Sequence, residues 1–393
     1  MQVSDLLEGT SAVDVHCHGW RSDEVAAAPQ RGFLDRITML GMCLVSSGLE
    51  DEGLRQILEL TTDTSPIAVA MADRLAAMLG CEPTRDGLVA ARTHALADHR
   101  AYLRRLWADA GVDDLIMDDG YPLPRIDGRA LGEEVGLRIH RVCRIEPIIT
   151  DVRDAAGSYS ELADAFTGGL EQAVAAGSIA FKSVIAYRTG LDVAEWTPAE
   201  CESAFTRWRA DGWTETREHA KPVRDALLRR ALAVARAAGI PVHIHCGGGD
   251  PAIVLTHARP SDLFPVLTDH MNQPVVLVHS GWPWVEEGAF VASILPHVYL
   301  DTSLSTPWAS LAIDSRLEIL LGIAPPAKVM YGSDEASEPE VIWLSAQLAR
   351  EALARVLETG IERRHLNRAA AARIGADVMS GNARRLHGLE VSG

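Results

Sequence analysis

The sequence predicts an α/β fold, a distorted TIM-type (β/α)8 barrel with helical insertions after strands one and four. Three observations carry this expectation. Short apolar, β-rich runs alternate with long Ala/Leu/Arg-rich stretches, eight such runs can be counted, and no glycine-rich nucleotide loop follows an early one. The first run is Ala12–Cys17, where VDVHCH alternates apolar and polar residues. A largely helical excursion over 24–81 follows it and forms the first insertion. Thr84–Ala110 has helical composition and leads into the second run, Asp114–Asp118. The third run is Val142–Ile149, followed by a helical stretch over Ser160–Ala176, and the fourth is Ala180–Ala186. The second insertion, 189–222, contains Trp196, Trp208 and Trp213, and is expected either to wall a pocket or to form a surface subdomain. Val223–Ala238, with its RRALAVARAAG pattern, is an amphipathic helix. The remaining runs are Pro241–Cys246, Pro274–His279 with its buried-strand signature VVLV, Val298–Asp301 and Lys328–Gly332. A helical segment over 340–393, clearest at Glu340–Glu358, closes the chain, and 1–393 is expected to be one barrel domain. The rival is an open doubly wound sheet. It would carry GxGxxG after an early strand, and GMCLVSSGLEDEG lacks that spacing.

The 393 residues are 47% hydrophobic and 23% charged, an ordinary composition for a chain with a full core. The formal net charge of -17 and the lack of any Lys/Arg cluster exclude a nucleic-acid backbone as partner, though a few local arginines can still hold a small anion. No run of eighteen apolar residues is present, so no membrane span is expected. The six cysteines form no CxxC pair and the first residues lack a signal-peptide pattern, which points to a reduced, cytoplasmic setting. The expected partner is a small-molecule substrate, and a homo-oligomer is left open.

Polar residues recur at the ends of the predicted strands. Period-two geometry puts His16 and His18 on one face of the first strand. PVHIHCGGGD repeats the pattern with His243 and His245, VVLVHSGWPW ends the sixth unit with His279, and KVMYGSD ends the eighth with Asp334. One buried histidine is usually a hydrogen-bonded core residue. Imidazoles and a carboxylate from four strand ends are hard to explain as packing, because they would be costly to bury without a metal. Such nitrogen and oxygen donors suit a divalent ion, zinc foremost, with manganese or iron compatible.

With these segments, together with PVVLVHSGWPWVEEGAFVASILPHVYLDTSL, APPAKVMYGSDEASEPEVIW and NARRLHGL, the chain resembles the amidohydrolase-2 family of metal-dependent hydrolases. Within it, the resemblance is to the branch that includes the amidohydrolase domain fused to glutamine synthetase-like domains in some fungal and plant proteins. The resemblance implies a distorted TIM barrel with one or two divalent ions. It assigns His16, His18 and His245 as ligands, His279 as ligand or substrate polariser, and Asp334 as ligand and proton acceptor. His243, two residues before His245, is read as supporting or packing. Related barrels bridge two ions with either a strand-three glutamate or a carbamylated strand-four lysine, and Glu146 and Lys182 are the two candidates. A metal-free buried salt bridge between them is the alternative. Arg188, beside Tyr187, is the expected clamp for a substrate carboxylate, since its planar fork binds carboxylates bidentately. Asp119 in DDGY, and Trp282 and Trp284 flanking Pro283, are expected to line the pocket.

The expected reaction is hydrolysis of a C–N bond in a small carboxylate-bearing amide, which the resemblance narrows to a γ-glutamyl amide or similar conjugate. Catalysis is assigned to Asp334 and His279. Non-oxidative decarboxylation of an aromatic or unsaturated acid is the alternative chemistry. A non-catalytic interaction protein on the same fold is the alternative without chemistry.

Overall fold

The structure, a computed structural model, describes residues 5–46 and 52–390, so residues 47–51 of the first insertion and 391–393 of the C-terminal segment lie outside the described residues. Eight parallel strands form one sheet in sequential order: β1 Ala12–His18, β2 Val112–Asp118, β3 Arg138–Arg144, β4 Ala180–Ser183, β5 Val242–His245, β6 Val275–Val278, β7 Val298–Asp301 and β8 Val329–Met330. The chain just after β8 closes the ring on β1. Val15 N donates to Tyr331 O (3.0 Å), Asp334 N to His16 O (2.8 Å) and His18 N to Glu335 O (2.6 Å).

Side-chain alternation sorts the strands into an outer and an inner face. Leu115, Met117, Cys143, Phe181, Val275, Leu277, Leu300 and Val329 pack outward against the helices. Val13, Val15, Ile116, Val142, Ala180, Val276 and Met330 form a separate interior cluster, floored by Ala383 of the helix Asn382–His387. Two residues further along, the same inward phase carries Asp118, Arg144 and Lys182, so the barrel interior is apolar below and polar at its C-terminal mouth. In β1 the phase shifts. The register with β2 breaks between Asp14 and Cys17, Val13 and Val15 face inward, and Cys17 packs outward. This irregularity lets His16 and His18 share the interior with the valines before them.

The third strand ends earlier than its composition suggests. The predicted run continued to Ile149, but the chain turns into the helix Ile145–Arg153. The apolar letters of IEPII hide a helix start. Glu146 sits in the first turn, where the helix dipole favours a carboxylate, and Pro147 sits where a missing N–H costs nothing. The predicted helix Thr84–Ala110 is two helices, Arg85–Leu96 and His99–Ala110. Asp98 caps the second by accepting from Ala101 N (3.1 Å).

Both insertions are present. The second begins its helix Pro198–Ala210 with a capping box between Thr197 and Glu200. Its Trp208 is buried against Trp213, with Arg153 and Arg224 over the ring. Trp196 donates to Asp225 Oδ2 (3.0 Å). These tryptophans fasten the insertion to the barrel flank. The two helices between the first insertion and β2 are joined to the chain after β8 by buried charge. Arg92 reaches Glu340 (Nε–Oε1 2.6 Å) and Glu338 (Nη2–Oε2 2.6 Å), and Tyr102 donates to Glu340 (2.7 Å).

Removing that guanidinium takes the ion-pair partner from the buried Glu340 and leaves the buried Glu338 with Arg36 alone. Arg92→Met is expected to lower unfolding free energy by about 3–5 kcal/mol in a urea titration. A change below about 1 kcal/mol would show that the carboxylates are satisfied otherwise.

Candidate active site

The polar layer at the barrel mouth converges on one carboxylate. Asp334 Oδ1 lies 3.1 Å from His16 Nε2 and 3.6 Å from His18 Nε2, and Oδ2 lies 3.8 Å from His279 Nε2. Lys182 Nζ is 3.0 Å from His16 Nε2, and His279 Nε2 is 3.2 Å from His245 Nδ1. At the ends of the neighbouring strands β2 and β3, Arg144 binds Asp118 (Nη2–Oδ2 2.5 Å, Nε to both oxygens 3.1 Å).

Local backbone aims these groups. His279 and Asp334 both have left-handed φ, 64° and 68°, an unusual conformation for non-glycine residues and one that clusters at functional sites. His279 is held by Asp301, whose Oδ1 accepts from His279 N (2.9 Å) and from Ser303 N (3.0 Å) and Oγ. Ser303 Oγ in turn meets His279 Nδ1 (2.8 Å). The glycine loop after β5 packs tightly. Gly247 has φ 86°, and a Cβ there would sit 2.1 Å from Trp282 O, while a Cβ on Gly249 would sit 1.7 Å from Tyr187 Oη.

Charge states follow from burial and neighbours. Burial, then the positive charge of Lys182, pushes His16 well below the ordinary imidazole range and His245 down to about 3. Burial likewise holds His279 low. Burial lowers Lys182 against the opposing charge of Asp118. Burial alone would raise Asp334, but His279, His18 and Lys182 outweigh it and bring the carboxyl down to about 2. His16, His245 and His279 are thus held neutral around an ionised carboxylate, the state a divalent ion requires of its ligands.

The donor set fits such an ion. His16, His18 and Asp118, and again His16, His279 and Asp334, each offer three ligand atoms within 4.8 Å of one another. Nδ1 of His16 and of His18 is buried without a protein partner. The donors are imidazole nitrogen and carboxylate oxygen, the set suited to zinc-like ions.

A cavity of about 260 Å³ opens over this cluster. Its lining includes His16, His18, Lys182, Tyr187, Arg188, His245, His279 and Asp334. Four expected site residues lie elsewhere. Glu146, carried into the helix after β3, accepts from Ser183 Oγ (2.8 Å) and Val184 N (2.9 Å), fixing the end of β4 from behind. Asp119 is turned away to bind Arg141 (2.6 Å) and Arg144 N (3.0 Å). Trp282 packs against the core and gives its carbonyl to Gly248 N, and Trp284 stacks under Arg259. The tryptophans of the second insertion are also absent from the lining. His243 lies below the site, Nε2 2.9 Å from His387 Nε2. Sequence reasoning placed the stretch Asp118-Asp119-Gly120-Tyr121 at the pocket, and Tyr121 lines it, but it missed Asp118 as a ligand candidate and Arg36 and Met42 as lining. Strand alternation from Ile116 gave a signal for Asp118, whereas nothing local marked Arg36.

The model of the amidohydrolase family Amidohydro_2 matches residues 192–389. Protein fluG of Emericella nidulans is 32% identical over 221 residues, 54% of this chain but 26% of its own length, so the chain matches about a quarter of that curated relative. A protein of Lactobacillus casei ATCC 334, provisionally named a metal-dependent hydrolase, superposes with TM-score 0.83 at 21% identity, over 99% of both chains. Glucuronate isomerase from Caulobacter crescentus superposes with TM-score 0.71 at 16% identity, over 99% of this chain and 93% of its own. At these identities the structural likenesses establish the fold. No described helix is long and apolar enough to cross a membrane.

The shared position of His16 in both donor groups separates it from His243. His16→Asn should lower bound divalent metal per chain, measured by elemental analysis of protein purified without chelator. The loss should exceed the roughly 10–100-fold change in affinity typical of an outer partner. His243→Asn should leave metal content unchanged. Equal losses in both would place the ion deeper than the mouth.

Proposed function

The chain belongs to the amidohydrolase family, and from that premise we propose that it hydrolyses the C–N bond of a small, carboxylate-bearing amide. The observation that carries this reading is the ionised Asp334 set among His16, His18 and His279 at the floor of the cavity. Asp118 is already engaged by Arg144, which favours the group His16, His279 and Asp334, with His18 adjacent, as the holder of the ion. Zinc suits these donors best, with manganese and iron compatible. Such an ion supplies Lewis acidity to a carbonyl and acidifies water.

The protein's own groups supply the rest. Asp334, held ionised, takes a proton from the attacking water and passes it to the departing nitrogen, so acid and amine leave with protons balanced. His279, fixed through Ser303 and Asp301, keeps Nε2 turned toward Asp334, where it would hold the ion that polarises the carbonyl. Tyr187 keeps its phenol proton, because burial raises it further above the ordinary range, and its ring lies 4.7 Å from that of His245. Arg188 is exposed at the rim with no carboxylate partner among the described residues, which fits it to a substrate carboxylate. The resemblance to the branch fused to glutamine synthetase-like domains supports a γ-glutamyl amide or a similar amino-acid conjugate.

The deciding experiment incubates the protein with γ-glutamyl amides, acyl amino acids and aromatic carboxylic acids, following amine and CO₂ release separately. Amine release with a carboxylate-bearing amide is expected, and CO₂ release alone would replace this reading with decarboxylation. On the true substrate, Asp334→Asn should cut turnover by about 10²–10⁴-fold with the fold retained. Turnover near wild type at normal metal content would mean that another group moves the proton. Arg188→Ala should reduce kcat/KM far more for that substrate than for an analogue lacking the carboxylate, with Arg188→Lys rescuing in part. Equal losses on both would make Arg188 structural.

A further inference from the structure

The cavity is lined by three guanidiniums, of which Arg144 is already bound to Asp118. Arg36, from the first insertion, lines it together with Arg188. Arg188 follows β4, whereas Arg36 is bound to Glu338 (Nε–Oε1 2.5 Å), eight residues beyond the end of β8. In a ring of eight sequential strands, β4 and β8 stand across the barrel from each other. Asp334 and its histidines line the same cavity.

Arg36 is held unusually firmly for a residue of an insertion. Besides Glu338 it donates through Nη1 to Pro29 O (2.8 Å), and Glu338 is itself fixed by the fully buried Arg92 (2.6 Å). Nη2 is left over. It is buried and has no acceptor. A buried donor without a partner is costly, so an acceptor arriving with a ligand relieves that cost. The orphaned donor and the trans-barrel position are independent observations, and both are met by an anionic oxygen group at this end of the cavity.

We propose that Arg36 is a second anion anchor, and that the substrate carries a carboxylate on each side of the scissile amide: one on the acyl part at Arg188, one on the leaving amine at Arg36. This rests on the amide-hydrolysis reading for the word "scissile", but not for the anchors. The substrate class is then an amide between a dicarboxylic acid unit and an amino acid, and hydrolysis releases an amino acid rather than a simple amine. A cavity of about 260 Å³ suits a compound of this modest size.

The test uses inert ligands, so it does not depend on turnover. Calorimetry on the protein as purified would compare α,ω-dicarboxylates of increasing chain length with monocarboxylates of equal length and with their ω-amide counterparts. At one chain length the dicarboxylate should bind at least about tenfold tighter than both, the scale of one charge-assisted pair. Arg36→Met and Arg188→Met should each erase that advantage, with Arg36→Lys keeping part of it and thermal melting confirming the fold. The absence of an advantage at every length in the wild type overturns the proposal, and so does an advantage that survives Arg36→Met or is matched by the ω-amide. If the advantage is found and no amide is hydrolysed, the anchors stand and the reaction falls.

Discussion

The mouth of the barrel is a place where ionisable groups have been taken out of water, and each keeps its charge state only through its neighbours. Burial is the leading influence on His16, Lys182, His245, His279 and Asp334 alike. Left to burial, the carboxylate would take up a proton and the lysine would give one up. Asp334 escapes because His279, His18 and Lys182 act against burial, and His16, His245 and His279 are held low partly because Lys182 sits among them. No one of these groups can be understood alone. The outcome is a set of lone pairs and one negative charge, which is chemically ready for a cation and for moving a proton.

Much of this was legible in the sequence because barrel strands repeat a simple rule. Paired histidines at the end of one strand, a histidine after another and an aspartate after a third pointed to one spot once the strands were placed in a ring. Where the rule was applied across a hidden boundary, it misplaced residues. Glu146 seemed to share a strand face with Arg144, but Pro147 and a first-turn carboxylate start a helix there, and its side chain now holds β4 from outside the cavity. Trp282 and Trp284 directly follow the sixth-unit histidine, yet their direction is set by the packing of the glycine loop, which a single sequence does not specify. The irregular step in β1 is a further example. Strict alternation along the whole strand would have set His16 opposite Val15, and the shift between Asp14 and Cys17 is what brings both inward.

Arg36 was illegible for a different reason. Its importance comes from partners far along the chain, Glu338 and through it Arg92, and no local pattern announces such a pairing. Buried ion pairs of this kind add little net stability compared with apolar packing, but breaking one is expensive, so they fix geometry. Here they tie the insertion after β1 to the segment after β8. The wall of the cavity and the loop that supplies its carboxylate are thereby held as one unit.

That the ring closes through Asp334 N to His16 O and His18 N to Glu335 O has a temporal side. Ribosomes deliver a chain from its N-terminal end, and early segments wait for later ones. His16 and His18 emerge with the first strand, but their carboxylate arrives only after seven more strands have been made. Between those moments the histidines have neither their partner nor a closed wall. Joining the last strand to the first therefore finishes the architecture and the chemistry in a single event, so that a partly made chain carries no half-working centre.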